Sequence, residues 1–137
     1  MLIFAMAALT ISGCDSSRPA TPPAPPAGAS TYQGDASTTA AQLAMTDLRL
    51  RLKTSYPDHK WDISRYSGET SLDWEQVRRH YADTLGNNWE RQSAYDDVAA
   101  GYKSAVWQQG AQVVAVAWQP PTAPDTQPVL TVFVSGF

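Results

Sequence analysis

Cysteine is almost missing from this chain: its 137 residues contain one, Cys14. A lone thiol excludes an intramolecular disulfide and any cysteine-based zinc cluster, both of which need more than one sulfur. Histidine is scarce, with only His59 and His80, and no Asp-x-Asp-x-Asp-Gly run suits calcium. No metal or other cofactor is therefore expected. Positive charge is in deficit, ten Lys and Arg against thirteen Asp and Glu for a net charge of −3, and the longest basic run is the pair Arg78-Arg79. Non-specific nucleic-acid binding, which relies on clustered cations, is disfavoured on that basis, and no nucleic-acid partner is expected. Long apolar runs are lacking too, since Met1 to Ser12 falls well short of the roughly 20 residues that span a bilayer as a helix. No Gly-x-Ser-x-Gly nucleophile elbow is present.

What the chain does contain is a gradient. Residues 1–13 carry no charge, five of the ten prolines fall between Pro19 and Pro26, and all five tryptophans lie at Trp61 or later. The apolar core Leu2–Ile11 has the length of a signal-peptide h-region and ends in the small residues Ser12 and Gly13, followed at once by Cys14. The run Ile11-Ser12-Gly13-Cys14 resembles the lipobox of bacterial lipoproteins. That resemblance implies cleavage before Cys14, a diacylglycerol thioether on its sulfur and further acylation, as by palmitate, of the new amino terminus. It implies a membrane anchor facing the periplasm, and Asp15 directly after the cysteine is the sorting signal that favours the inner membrane over the outer. No cation precedes Leu2, and the expectation is either a start codon a few residues upstream or weak export.

From Asp15 to Gly34 the chain is nearly all Pro, Ala, Ser, Thr and Gly, with Tyr32 the only large apolar residue. Such a composition buries little, so residues 14–34 are expected to form a flexible tether. At about 3.1 Å per residue it holds the domain on the order of 60 Å from the bilayer. Pro22-Pro23-Ala24-Pro25-Pro26 also has the form of a polyproline II ligand.

Residues 35–137 are expected to fold as one domain. Ala41, Met45, Leu48 and Leu52 fall near one helical face over Thr38 to Ser55, with Pro57 as the stop, although Leu48-Arg49-Leu50-Arg51-Leu52 also alternates as a strand does. A second helix is expected from Leu72 to Leu85, with Trp74, Val77, Tyr81 and Leu85 on one face, a Thr70-x-x-Asp73 capping box and Gly86 as terminator. Trp89–Ala94, Tyr102–Trp107, Gln112–Trp118 and Val129–Val134 read as strands, with Lys60–Tyr66 as a further one. The segment Val113 to Trp118 is apolar on both faces, as in a central strand. The order predicts an α+β fold of two layers: an antiparallel sheet of four to five strands with two helices on one face.

Candidate chemistry is thin. His80 has Asp83 three residues on, His59 follows Pro57-Asp58 in a turn, and both read most simply as solvated or boundary histidines. Asp96 and Asp97, with Asp62, Glu69 or Asp73, have the residue types of a glycosidase carboxylate pair, but adjacent aspartates in a loop are more often turn formers. The tryptophans suit a sugar platform, or core packing, the expected role. The reading is a non-enzymatic, membrane-anchored lipoprotein whose domain binds an envelope protein through its loops, Asp96 and Asp97 steering the encounter. The alternatives are an immunity or inhibitor lipoprotein that blocks a wall-degrading toxin and, more remotely, a small hydrolase.

Overall fold

The computed structural model describes residues 21–32, 39–68, 72–96, 101–121 and 127–137. Strand β1 (Ala29–Thr31) leads to helix α1 (Thr39–Ser55) and strand β2 (Asp62–Gly68). Helix α2 (Trp74–Leu85), strand β3 (Glu90–Arg91) and one 3-10 turn (Ser93–Tyr95) follow. Strands β4 (Lys103–Gln109), β5 (Gln112–Gln119) and β6 (Val129–Ser135) complete the described chain. These strands form one six-stranded sheet in the order β1-β2-β6-β5-β4-β3, and every paired neighbour is antiparallel. The chain crosses the sheet through α2, from β2 to the far edge at β3, and returns as a meander to lay β6 against β2.

The two helices lie on opposite faces of the sheet, and this corrects the expected two-layer arrangement. Side chains alternate between faces along a strand, and the alternate sets enter two separate cores. Ala105 and Trp107 of β4, Val114 and Val116 of β5, and Leu130, Val132 and Val134 of β6 pack with Val77 and Tyr81 of α2. Val106, Val113, Ala115, Ala117 and Phe133 pack with Ala44, Leu48 and Leu52 of α1. A central sheet apolar on both faces needs a cover on each, so the domain has three layers. Full burial of Leu48 and Leu52 contributes roughly 1.5–3 kcal/mol apiece.

Local signals explain most elements. Tyr56 N–H still bonds Leu52 O before Pro57 ends α1. The capping box of α2 sits three residues later than expected: Asp73, in extended conformation, accepts from Gln76 N–H at 2.8 Å, and Gln76 Oε1 accepts from Asp73 N–H at 3.0 Å. Helix α2 therefore begins at Trp74. It stops at Gly86, whose φ of 83° is a left-handed conformation that a side chain would strain. The strand expected over Trp89–Ala94 shrinks to Glu90–Arg91 because the following 3-10 turn carries Tyr95 into the α1-side core, where Ser104 Oγ donates to Tyr95 O.

The tether expectation is corrected for residues 21–32. Strand β1 pairs Ala29 with Gly68 and Thr31 with Tyr66, and Tyr32 N–H donates to Arg65 O at 3.1 Å. Ala29 packs against the α2-side core, Pro26 is buried, and the Arg65 guanidinium lies 5.1 Å from the centre of the Tyr32 ring. His80 Nε2–H donates to Ala24 O at 2.7 Å. The polyproline stretch is thus bonded to the side of α2 through His80, and its β1 continuation is the sheet's sixth strand.

Candidate functional site

Helix α1 is hydrogen-bonded to the fold along its β4 flank. On the β4 side, Tyr102 Oη donates to Asp47 Oδ2 at 2.6 Å, Tyr95 Oη donates to Arg51 O at 3.4 Å, and Arg51 Nη2 donates to Ala94 O at 3.0 Å. The Arg51 guanidinium also sits 5.1 Å from the centre of the Tyr95 ring. Burial, then the adjacent Asp47, push the Tyr102 phenol well above its ordinary range.

The opposite flank faces a groove of about 500 Å³ between α1 and the start of β2. Met45 and Leu50 of α1 meet Trp61 and Ile63 across an apolar floor, while Gln42, Thr46, Arg49 and Lys53 form the helical rim. Leu50 is 60% exposed and Ile63 36%. Among the described residues Arg49 and Lys53 make no ion pair, and no carboxylate lines the groove. Asp62 points to the other face of the sheet, because it alternates with Ile63, which lies beside Phe133 on the α1 face.

One end of the groove is built from aromatics. His59 stacks on Trp61 at 5.8 Å, Trp61 meets the edge of Phe133 at 6.5 Å, and Tyr56 Oη donates to Gln108 Oε1 at 3.0 Å. His59 Nδ1 shares a 3.0 Å hydrogen bond with Ser135 Oγ. This is a base beside a hydroxyl, but Ser135 is buried and no carboxylate orients the imidazole among the described residues. The contact fixes the groove wall and does not assemble a nucleophile in the sense of a triad. The solvated turn position expected for His59 is corrected accordingly: the ring is half-buried.

The other sequence candidates are dispersed. Arg91 Nε and Nη2 both donate to Asp96 Oδ1, at 3.0 and 2.7 Å, and the same guanidinium lies 5.0 Å from the centre of the Trp107 ring. Asp96 is thus already partnered, while Cys14, Asp15, Glu69 and Asp97 lie outside the described residues. Asp73 serves as a helix cap, and His80 engages Ala24 in place of Asp83. The five tryptophans are buried or half-buried, so they present no stacking platform. Among the described residues no three His, Cys, Asp or Glu side chains converge as a metal site, and no helix is long and apolar enough to cross a membrane. The groove itself was missed from sequence; the one available signal was the pair of exposed leucines, Leu43 and Leu50, on an otherwise polar helix surface.

The chain matches no protein-family model, no curated protein and no solved structure.

Proposed function

We propose that this is a lipid-anchored envelope protein whose domain performs no chemistry and works by docking a protein partner in the groove between α1 and β2. The observation that carries the reading is the asymmetry of α1: one flank is hydrogen-bonded to the fold, and the other offers exposed Leu50 beside Arg49 and Lys53, which make no ion pair among the described residues. An apolar floor rimmed by polar groups is the usual anatomy of an interaction surface. The anchor is supported by Ile11-Ser12-Gly13-Cys14 followed by Asp15. Each buried CH₂ of an acyl chain contributes about 0.8 kcal/mol, so two or three chains on Cys14 hold the protein on the inner membrane. Docking through the loop of Asp96 and Asp97 relied on free acidic charge there, and the engagement of Asp96 by Arg91 removes part of that support in favour of the groove.

Two measurements on the full chain, in the bacterium that makes it, test this. Cys14→Ser should leave the salt-washed membrane pellet, and its retention there would refute anchoring. A photo-crosslinker at Leu50 should capture a partner that one at Thr84, on exposed α2 surface, does not, and Arg49→Glu with Lys53→Glu should abolish the capture. Equal labelling from both positions, or labelling insensitive to the charge reversal, would refute the groove.

A further inference from the structure

We infer that residues 21–26 form a hinged strap, latched on α2 through His80 and released by rotation at Ala27-Gly28 while strand β1 stays in the sheet. Its effect on the tether rests on the proposed anchor at Cys14; the hinge itself does not. Every residue from Thr21 to Pro26 is either a proline or directly precedes one. Proline fixes φ, and the residue before it is confined to extended conformations, so this stretch moves as a stiff rod. Ala27 is the first residue under neither restriction, and Gly28 follows it. There the chain reverses: Ala29 N–H donates to Pro26 O at 3.2 Å, and Gly28 takes a φ of 88°. Glycine populates left- and right-handed conformations about equally, so the joint turns in either sense at little steric cost. Both hinge residues are exposed.

The two sides of the joint are held by different contacts. On the strap side, His80 Nε2–H donates to Ala24 O at 2.7 Å and Pro26 is buried. On the strand side, Tyr32 N–H donates to Arg65 O, and the Arg65 guanidinium packs on the Tyr32 ring. Backbone groups alternate in direction along a strand, so with Tyr32 N–H directed at β2 the Ala29 N–H points away from it, toward Pro26. Releasing the strap therefore breaks the Ala24 and Pro26 contacts and opens the Ala29 N–H to water, with the β1 ladder intact. The latch bond contributes roughly fivefold to the docked population. A bias of that size lies well below the free energy of global unfolding, so the strap opens as a local event.

Release gives the proposed anchor two lengths. With the strap latched, the chain from Cys14 reaches at most about 25 Å to Thr21. With it free, residues 21–27 add about 22 Å at about 3.1 Å per residue. A partner that meets the groove beyond the latched reach selects the released state, and one close to the bilayer leaves the strap closed.

The test is amide hydrogen exchange in the full-length Cys14→Ser protein, which needs no lipid. The Ala29 amide should be protected about tenfold less than that of Tyr32. His80→Ala should lower Ala29 protection by roughly a further threefold or more and leave Tyr32 within about twofold. His80→Gln, which keeps a side-chain N–H near the Nε2 position, should leave both amides within about twofold of the protein with His80. Ala29 and Tyr32 losing protection together would show that residues 21–32 open as one piece, and Ala29 protection indifferent to His80→Ala would remove the latch; either result overturns the strap. Neutron reflectometry of the lipidated protein on a supported bilayer reads the length. His80→Ala should move the domain layer outward, by at most about 22 Å. An unmoved layer beside the expected exchange would overturn the two-length anchor while the hinge stands, and failure of the wild-type protein to form a layer would refute the anchor itself.

Discussion

The Tyr102 hydroxyl donates to the Asp47 carboxylate across 2.6 Å, and this bond ties α1 to the entry of β4 on the flank away from the groove. A hydrogen bond to a charged acceptor is stronger than one between neutral groups. Its position lets it hold the helix without obstructing the open side, so α1 behaves as a rigid wall for whatever enters between it and β2.

Tyr102→Phe should therefore destabilise the domain by about 1–2 kcal/mol, read as a lower urea midpoint at an unchanged slope. Capture at Leu50 should persist. A loss of capture without a loss of stability would mean that Tyr102 acts at the groove itself.

Tyr81 is the contrasting case. Its side chain is fully buried beneath α2, and its hydroxyl finds no hydrogen-bond partner among the described residues. A buried hydroxyl without a partner carries its desolvation cost uncompensated. Tyr81→Phe should raise stability by about 1 kcal/mol, seen as a higher melting temperature. A destabilised variant would reveal a partner for that oxygen, such as a buried water.

The same two phenols define a pH dependence. Burial pushes Tyr81 upward, with nearby Tyr66 second, and Tyr102 is raised by burial and then by Asp47, both from an ordinary 10.0. A folded-state pKa above the unfolded one means stability that is complete below pH 10 and lost as pH rises beyond it. Above pH 10 the unfolded chain releases protons that the fold retains, so each phenol contributes a fall of about 1.4 kcal/mol per pH unit. Replacing either tyrosine by Phe should make the alkaline decline shallower by about that amount. Equal slopes in wild type and both variants would show that neither phenol resists ionisation.

Much of this architecture was legible in the residues. Trp74, Val77, Tyr81 and Leu85 announce α2 through their spacing, and β4, β5 and β6 announce themselves through Val, Trp and Phe. The two-sided apolar character of Val113 to Trp118 also carries the information that both faces need a cover, which two helices on one face would not supply. Strand β1 was hidden because Ala29-Ser30-Thr31 has little strand character of its own and is held by pairing with residues nearly forty positions away. The groove was hidden for a related reason. Arg49 and Lys53 look like any solvated helix charges, as do Asp47 and Arg51; only the tertiary placement of Tyr95 and Tyr102 separates a pinned flank from an open one.

Asp96→Ala should remove the Arg91 contact and cost no more than about 1 kcal/mol, because both side chains of this pair are partly exposed. Partner capture at Leu50 should not change. A slower association at low salt would instead restore the loop around Asp96 as a steering element.

The docked segment 21–32 also bears on the proposed membrane tether. Strand β1, buried Pro26, the His80 bond to Ala24 and the Arg65 contact with the Tyr32 ring together stabilise the fold by about 3 kcal/mol, taking roughly 1 kcal/mol for a hydrogen bond or cation–π contact. A chain beginning after residue 32 should consequently melt more than about 10 °C below one beginning at Thr21. Equal melting temperatures would return residues 21–32 to the tether. If they are part of the fold, the chain from Cys14 to Thr21 spans at most about 25 Å, not a reach on the order of 60 Å. A domain lipidated at Cys14, as proposed, would then be confined to the bilayer's immediate neighbourhood while residues 21–26 stay docked, so a partner docking in the groove in that state would have to approach that same membrane surface.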